Sequence, residues 1–259
     1  MNALGIGPRD VLALARHQRR ARDVRGPLLV TGLLAEQLAR ELRAGGEPGL
    51  VRTSGEPARA AAVVRVVAGA ATAEDERTMR EATRALVPVV AVQTAARSVR
   101  LPYVLAEDVV ECPPGSGFPV DEIADRLAAA LGRDGAPLAA ALPVLRDAVA
   151  RRSVTDGALA AASLAAFGAG AGPRLPVLAL AQARMLSDLS VTSGAETAGA
   201  GPDTAARDVG VPLAAAIGTG LAGRELVRRL PVRVRLLDAL VAAGATLALG
   251  TAFRRIARS

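Results

Sequence analysis

The run Val30-Thr31-Gly32-Leu33-Leu34-Ala35 is the part of this sequence most similar to a phosphate-binding loop, because a strand-like stretch precedes it and a helix-like stretch follows. Such a loop needs further glycines whose N–H groups approach the phosphates, a lysine on the β and γ oxygens, and a hydroxyl on Mg²⁺. Only the first glycine, Gly32, is present, and the chain has no lysine, since all 32 basic residues are arginine. We therefore predict poor phosphate affinity and no nucleotide hydrolysis.

The other residues with reactive side chains are isolated from one another. His17 is the only histidine, and its arginine-rich surroundings predict a solvated side chain instead of a catalytic or metal site. The single cysteine, Cys112, excludes an intrachain disulfide, fits a reducing cytosol and is predicted to be buried and structural. Glu74, Asp75 and Glu76 open a predicted helix and should form a solvated cap. We predict no catalytic residue, no metal and no cofactor.

Four aspartates adjoin apolar helical segments: Asp156, Asp188, Asp208 and Asp238. Inside a membrane, such carboxylates would mark a functional path. We prefer a soluble helical bundle, in which Asp156 and Asp208 begin helices. The other two would then pair with nearby arginines, namely Arg184, Arg233 or Arg235.

These residues must be positioned by alternating strand-like and helix-like segments, a pattern typical of a parallel α/β sheet. Val87–Gln93 is a continuous apolar run, as expected for a strand buried on both faces. Arg65, in the middle of another predicted strand, indicates an exposed face or a sheet edge. The predicted strands are Pro27–Thr31, Leu50–Thr53, Ala61–Ala68 and Val87–Gln93, with Tyr103–Ala106 and Asp108–Cys112 as weaker candidates.

Apolar residues at helical spacing predict the buried faces of three helices in this region. Thr72 is the predicted N-cap of the second of them. The three faces comprise Leu34, Leu38 and Leu42; Met79, Ala82 and Leu86; and Val120, Ile123, Ala124, Leu127 and Leu131.

The chain divides into an N-terminal helix (1–25, with Asp10–Asp23 helical), an α/β domain (26–135) and an Ala/Gly-rich helical domain (136–259), with Gly132–Pro137 as a linker. We therefore predict an α/β domain with a parallel sheet, followed by an all-α domain. Gly157–Gly172, Val209–Gly223 and Ala239–Phe253 are apolar but fall short of the ~18 residues expected of a spanning helix. No secretory signal is recognisable near the N-terminus.

The composition limits the partners that the protein can have. A net charge of +7 permits attraction to anionic surfaces, but 25 acidic residues are interspersed, and only 2% of residues are aromatic. Base stacking is therefore nearly excluded, and no nucleic acid is expected. Five arginines between two apolar segments are the candidate contact with a membrane surface or a partner protein: Arg224, Arg228, Arg229, Arg233 and Arg235. We expect a cytoplasmic protein, with association to the inner face of the cell membrane left open.

Residues 26–135 resemble an Era-type GTPase domain in the order and spacing of their parts. The run 87–96 resembles the strand that ends in the guanine-reading Asn-Lys-x-Asp motif, with Gln93, Thr94 and Ala96 in place of Asn, Lys and Asp. The run 112–123 resembles the last loop and final helix of such a domain. The Asp-x-x-Gly element, which contacts magnesium and the γ-phosphate in these GTPases, is missing after Ala61–Ala68. The resemblance implies a degenerate P-loop GTPase-like topology with a vestigial loop at Gly32, Gln93, Thr94 and Gly115.

The run 175–186 resembles the helical domain of unknown function that follows GTPase-like domains in YcjF-type bacterial inner-membrane proteins. This second resemblance implies membrane association without a known enzymatic reaction.

These observations favour a non-catalytic scaffold or adaptor, a pseudo-GTPase whose helical domain contacts a membrane or a partner protein. The alternative is a noncanonical NTP-binding protein or NTPase that uses the carboxyl edge of the sheet. Ala/Gly-rich helix faces also permit self-association. The sequence does not identify the partner.

Overall fold

The computed structural model of the protein describes residues 26–95, 99–167, 174–192 and 243–252. Within them, an N-terminal parallel α/β sheet is followed by helices, so the expected fold class is confirmed. The described residues up to Val149 belong to one compact unit and those from Ala150 to a second. Several expectations lie outside the described residues: the helix Asp10–Asp23, His17, Asp208, Asp238 and the arginines between residues 224 and 235.

The first unit contains five parallel strands in the order β2-β1-β3-β4-β5. The chain moves from β1 to one edge and then crosses back to β3, so the order reverses between β1 and β3. Five of the predicted strands are confirmed, the weaker candidate Asp108–Cys112 among them, but Tyr103–Ala106 is not a strand and begins with a turn. The strands are β1 (Leu28–Gly32), β2 (Val51–Arg52), β3 (Ala62–Val67), β4 (Val89–Gln93) and β5 (Val109–Glu111).

Helices cover one face of the sheet. Leu38 and Leu42 of α1 (Ala35–Leu42) and Ile123 and Leu127 of α3 (Val120–Leu131) pack against the alternate valines of the strands. Helix α4 (Gly135–Ala141) and the start of α5 (Pro143–Phe167) complete this core. The predicted linker Gly132–Pro137 is therefore wrong, because Gly135, Ala136 and Pro137 are buried in a helix.

Among the residues that the structure describes, one α-helix lies on the opposite face, α2 (Ala73–Arg84), whose Met79 and Ala82 pack on Val63 and Val89. Two connections complete the cover where further helices would be expected. One is the segment 53–61, with a short 3₁₀ turn, and the other joins β4 to β5 and buries Leu101 against β3 and β4.

Leu34 and Leu86 are exposed, so their predicted places on buried helix faces are wrong. Leu34 lies just before α1 and Leu86 just beyond α2, and both have positive φ, 55° and 58° respectively. Both leucines continue the apolar spacing of their helix, but Leu34 precedes the first residue of α1 and Leu86 follows the last residue of α2.

In the second unit, α5 packs closely on α6 (Arg174–Thr192) and on the helical residues 243–252. A Cβ atom on Gly157 would lie 2.6 Å from Met185 Sδ, and one on Gly250 would lie 2.6 Å from Val154 Cγ2. Small residues therefore set the distance between these helices. Gln182 Nε2 donates to Thr246 Oγ1 at 2.9 Å, which joins α6 to the last described helix.

The aspartates of this unit differ from expectation. Asp156 lies in the middle of α5 and accepts from Arg152 Nε at 3.1 Å, so its predicted place at a helix start is wrong. Asp188 is buried on α6. Its predicted pairing stays a prediction, since Arg233 and Arg235 lie beyond the described residues. None of the helices in the described ranges is both long and apolar enough to cross a membrane.

Candidate functional site

The carboxyl edge of the sheet is the place to look for a site, because open α/β sheets bind ligands outside the strand ends where the strand order reverses. The residues expected from sequence do come to this edge. Gly32 ends β1, Gln93 ends β4, and Thr94 follows directly. Gly115 lies in the turn between β5 and α3, with φ of 86°.

The connection from β1 to α1 is a turn of only two residues, Leu33 and Leu34. Leu33 N–H donates to the carbonyl of Val66 at 3.2 Å, which ties the turn to β3. Leu34 is the N-cap residue of α1 and offers no side-chain cap, and both leucines are about half exposed. A turn of this length cannot wrap around a phosphate, and one of its N–H groups is already used by the sheet.

Gln93 is buried, and both ends of its amide bind backbone groups of neighbouring loops. Its Nε2 donates to the carbonyls of Gly69 at 2.6 Å and Val99 at 3.1 Å. Its Oε1 accepts from Val99 N–H at 3.1 Å. The Gln93 side chain therefore joins the loop after β3 to the loop after β4.

Thr94 also binds the sheet. Its N–H and hydroxyl both donate to the carbonyl of Val67, at 2.8 and 3.3 Å. Thr31 Oγ1 is buried and has no hydrogen-bond partner within the described ranges. Of the three polar side chains Thr31, Gln93 and Thr94, two therefore bind backbone carbonyls of the sheet and its loops, and the Thr31 hydroxyl oxygen is buried.

An ion pair lies between β3 and the first turn of α2. Arg65 is only 7% exposed, and its Nε and Nη2 each lie 2.7 Å from Asp75 Oδ1. Asp75 Oδ2 accepts from the N–H and the hydroxyl of Thr72, at 2.8 and 2.7 Å. The predicted N-cap at Thr72 is confirmed as a capping box.

Two expectations are corrected by this pair. Arg65 lies neither at a sheet edge nor on an exposed face, because β3 is the central strand and Asp75 neutralises its charge. Asp75 is buried, whereas Glu74 and Glu76 are solvated as predicted. The Thr72-x-x-Asp75 spacing is a recognisable capping signal, and it was the one sequence feature that could have indicated a structural carboxylate here.

Burial raises the pKa of Asp75, but the hydrogen bonds from Thr72 and the Arg65 guanidinium outweigh that effect, so the pKa lies below its ordinary value. The carboxylate is therefore ionised at neutral pH. It occupies the N-terminus of α2, a position where a bound anion would otherwise be favoured. The protein's own side chain already provides that negative charge.

Cys112 is buried, which confirms the sequence-based prediction. Its thiol contacts Ser116 Oγ at 3.8 Å and the carbonyl of Gly117 at 3.7 Å. Ser116 Oγ in turn donates to the carbonyl of Pro113 at 2.6 Å, which stabilises the turn that contains Gly115. Within the part of the chain that the structure describes, no group of three or more His, Cys, Asp or Glu residues could hold a metal ion.

The loops around this edge have an unusual composition for a ligand site. The segments 33–34, 68–71, 94–95 and 112–119 contain no charged residue. These four segments themselves offer no cation to a phosphate and no carboxylate to a cation. Charged residues lie nearby, since Glu36 is in the first turn of α1 and Arg100 is in the connection between β4 and β5.

Comparisons with known proteins leave the chain without a family. No protein-family model, no curated protein and no solved structure matches it. The fold, a five-stranded parallel sheet followed by helices, therefore rests on the chain's own structure.

Proposed function

We propose that the protein is a non-catalytic scaffold or adaptor, with a pseudo-GTPase domain related in topology to the Era-type GTPases and a helical part of the YcjF type. The observation that carries this proposal is the arrangement of polar groups at the carboxyl edge of the sheet. Gln93 and Thr94, which stand where guanine would be read, bind loop and strand carbonyls instead. The turn at Leu33 and Leu34 offers apolar side chains where a phosphate loop would offer N–H groups and a lysine.

In isothermal titration calorimetry with Mg²⁺, we expect no detectable binding of GTP, GDP or ATP, which means a dissociation constant above about 1 mM. The physical reason is that the segments 33–34, 68–71, 94–95 and 112–119, which begin at the strand ends, contain no cation to neutralise a triphosphate. A circular dichroism spectrum in the same buffer serves as the control that the chain is folded. Magnesium-dependent binding in the micromolar range would contradict the proposal and favour the NTP-binding alternative.

For the helical part we propose contact with an anionic membrane surface. Two parts of the chain differ in charge, since residues 23–149 contain 14 arginines and 17 acidic residues, whereas residues 150–259 contain 13 arginines and seven acidic residues. Near an anionic bilayer each arginine contributes about 1 kcal/mol. The positive charge of the later residues supports this half of the proposal.

Sedimentation with phospholipid vesicles tests the membrane contact. We expect binding to vesicles of phosphatidylcholine with phosphatidylglycerol, a loss of binding as salt increases, and no binding to phosphatidylcholine alone. Glutamine in place of the five arginines of the 224–235 segment should remove binding. Five exposed arginines of the α/β unit provide a control with the same change of charge: Arg40, Arg52, Arg59, Arg77 and Arg100. An equal loss of binding in both variants would contradict this assignment.

A further inference from the structure

Leu86 is the most exposed large apolar side chain in the described ranges, at 91%. It follows α2 in the left-handed conformation, with its N–H bonded to the carbonyl of Thr83 and the N–H of Val87 bonded to that of Ala82. This is the Schellman arrangement, in which glycine is the usual residue at the left-handed position. A leucine there is conformationally unfavourable and gains nothing from burial in the isolated chain.

A shallow recess of about 350 Å³ lies beside Leu86, at the amino ends of β3 and β4. Small or apolar residues line it, among them Ala60, Ala61, Pro88, Ala130 and Pro137. The same surface therefore presents both a projecting apolar side chain and a depression able to receive one. That combination is what a twofold-symmetric contact requires, because each copy must supply both halves of the contact.

Two charged residues of opposite sign are associated with this recess. Arg84 is the last residue of α2 and is exposed, two positions before Leu86. Asp134 lines the recess and comes from the 3₁₀ turn before α4. Opposite charges of this kind allow the arginine of one copy to pair with the aspartate of another in a twofold contact.

We propose that this recess is the contact surface between two copies of the chain, with Leu86 of each copy seated in the recess of the other and Arg84 facing Asp134 of the second copy. The inference is independent of the proposed function, since it concerns the amino edge of the sheet. It gives a physical reason for a leucine at a position where glycine would be more favourable.

Sedimentation velocity of the full-length chain over a range of concentrations tests the proposal. The unmodified chain should dimerise, and Leu86→Gly should weaken dimerisation at least tenfold. At a concentration where both chains are monomeric, Leu86→Gly should not lower the urea midpoint of unfolding, because glycine accepts the positive φ. Leu33→Ala is the matched control, a half-exposed leucine at the opposite edge of the sheet, and it should dimerise like the unmodified chain. A chain that is monomeric at every concentration, or a dimer that Leu86→Gly leaves intact, would overturn the proposal.

A charge exchange tests the orientation of the two copies. Arg84→Asp and Asp134→Arg should each weaken dimerisation several-fold, because each places like charges opposite one another. The double variant should recover most of the affinity. Single variants that dimerise normally, or a double variant as weak as the singles, would rule out the proposed pairing.

Discussion

Replacing Arg65 by methionine is expected to lower the free energy of unfolding by about 3–5 kcal/mol, because the change leaves the carboxylate of Asp75 buried without its counter-charge. Arg65 is on the central strand, and its Nε and Nη2 both lie 2.7 Å from Asp75 Oδ1. The free energy of unfolding should fall less in the double variant Arg65→Met/Asp75→Asn than in the single variant. The double variant removes both charges and keeps an oxygen that can accept from Thr72 N–H. Urea unfolding followed by circular dichroism measures both.

The ion pair between Arg77 and Glu74 is the matched control for this experiment. Both of its residues lie in α2, the helix that contains Asp75, but their side chains are 59% and 55% exposed. Arg77→Met should therefore change the free energy of unfolding by about 0.5 kcal/mol or less. If Arg65→Met behaved like Arg77→Met, the buried pair would not have the structural role that its geometry indicates.

Acid titration provides an independent measurement of the same pair. The pKa of Asp75 is lower in the folded chain than the ordinary value of 3.8. The ionised carboxylate therefore stabilises the fold fully above that value, and this stabilisation is lost as the pH falls through the folded pKa. Between about pH 5 and pH 3, the unmodified chain should lose more stability than the double variant, which has no carboxylate at this position.

Substituting Gly32 by alanine is expected to lower the free energy of unfolding by about 3 kcal/mol or more, as overpacking and an incompatible φ act together. Gly32 has φ of 99°, and a Cβ atom there would overlap the carbonyl oxygen of Val66 on the neighbouring strand. That oxygen also accepts the hydrogen bond from Leu33 N–H. The strand would have to move away from β3 to make room.

Gly69→Ala separates the two contributions. Gly69 has φ of 74°, but a Cβ atom there would meet nothing within 4 Å. Alanine at this position should lower the free energy of unfolding only by the cost of holding a residue with a Cβ atom at positive φ, about 1–2 kcal/mol. An equal loss for Gly32→Ala would mean that β1 and β3 are not held together as closely as the structure shows. The expected difference identifies Gly32 as a residue required by the sheet, whatever its resemblance to a phosphate loop.

Leu34 and Leu86 show why periodicity alone misplaced two side chains. Each continues the spacing of a genuine buried face, formed by Leu38 and Leu42 in one case and by Met79 and Ala82 in the other. Each also lies where the backbone adopts a positive φ, which turns the side chain out of the helical series. The spacing of apolar residues carries no information about φ where neither glycine nor proline marks the change.

The predicted linker at Gly132–Pro137 failed for a different reason. Glycine and proline are common in connections, but proline is also accepted in the first turn of a helix. A Cβ atom on Gly135 would lie 3.3 Å from Leu131 Cβ and 3.4 Å from Val149 Cγ2. This glycine therefore allows close packing between helices, which composition alone cannot distinguish from a flexible connection.

By itself, the sequence determined the parallel α/β class, the four main strands, the cap at Thr72 and the burial of Cys112, because local apolar patterns and turn chemistry dictate these features. Tertiary structure decided where the polar side chains are used. Arg65 is neutralised by a residue ten positions away, and Gln93 binds Gly69 across 24 residues. Such contacts depend on strand order, register and the placement of a helix on the sheet. Whether a polar residue serves a ligand or the fold can be judged only once those are known.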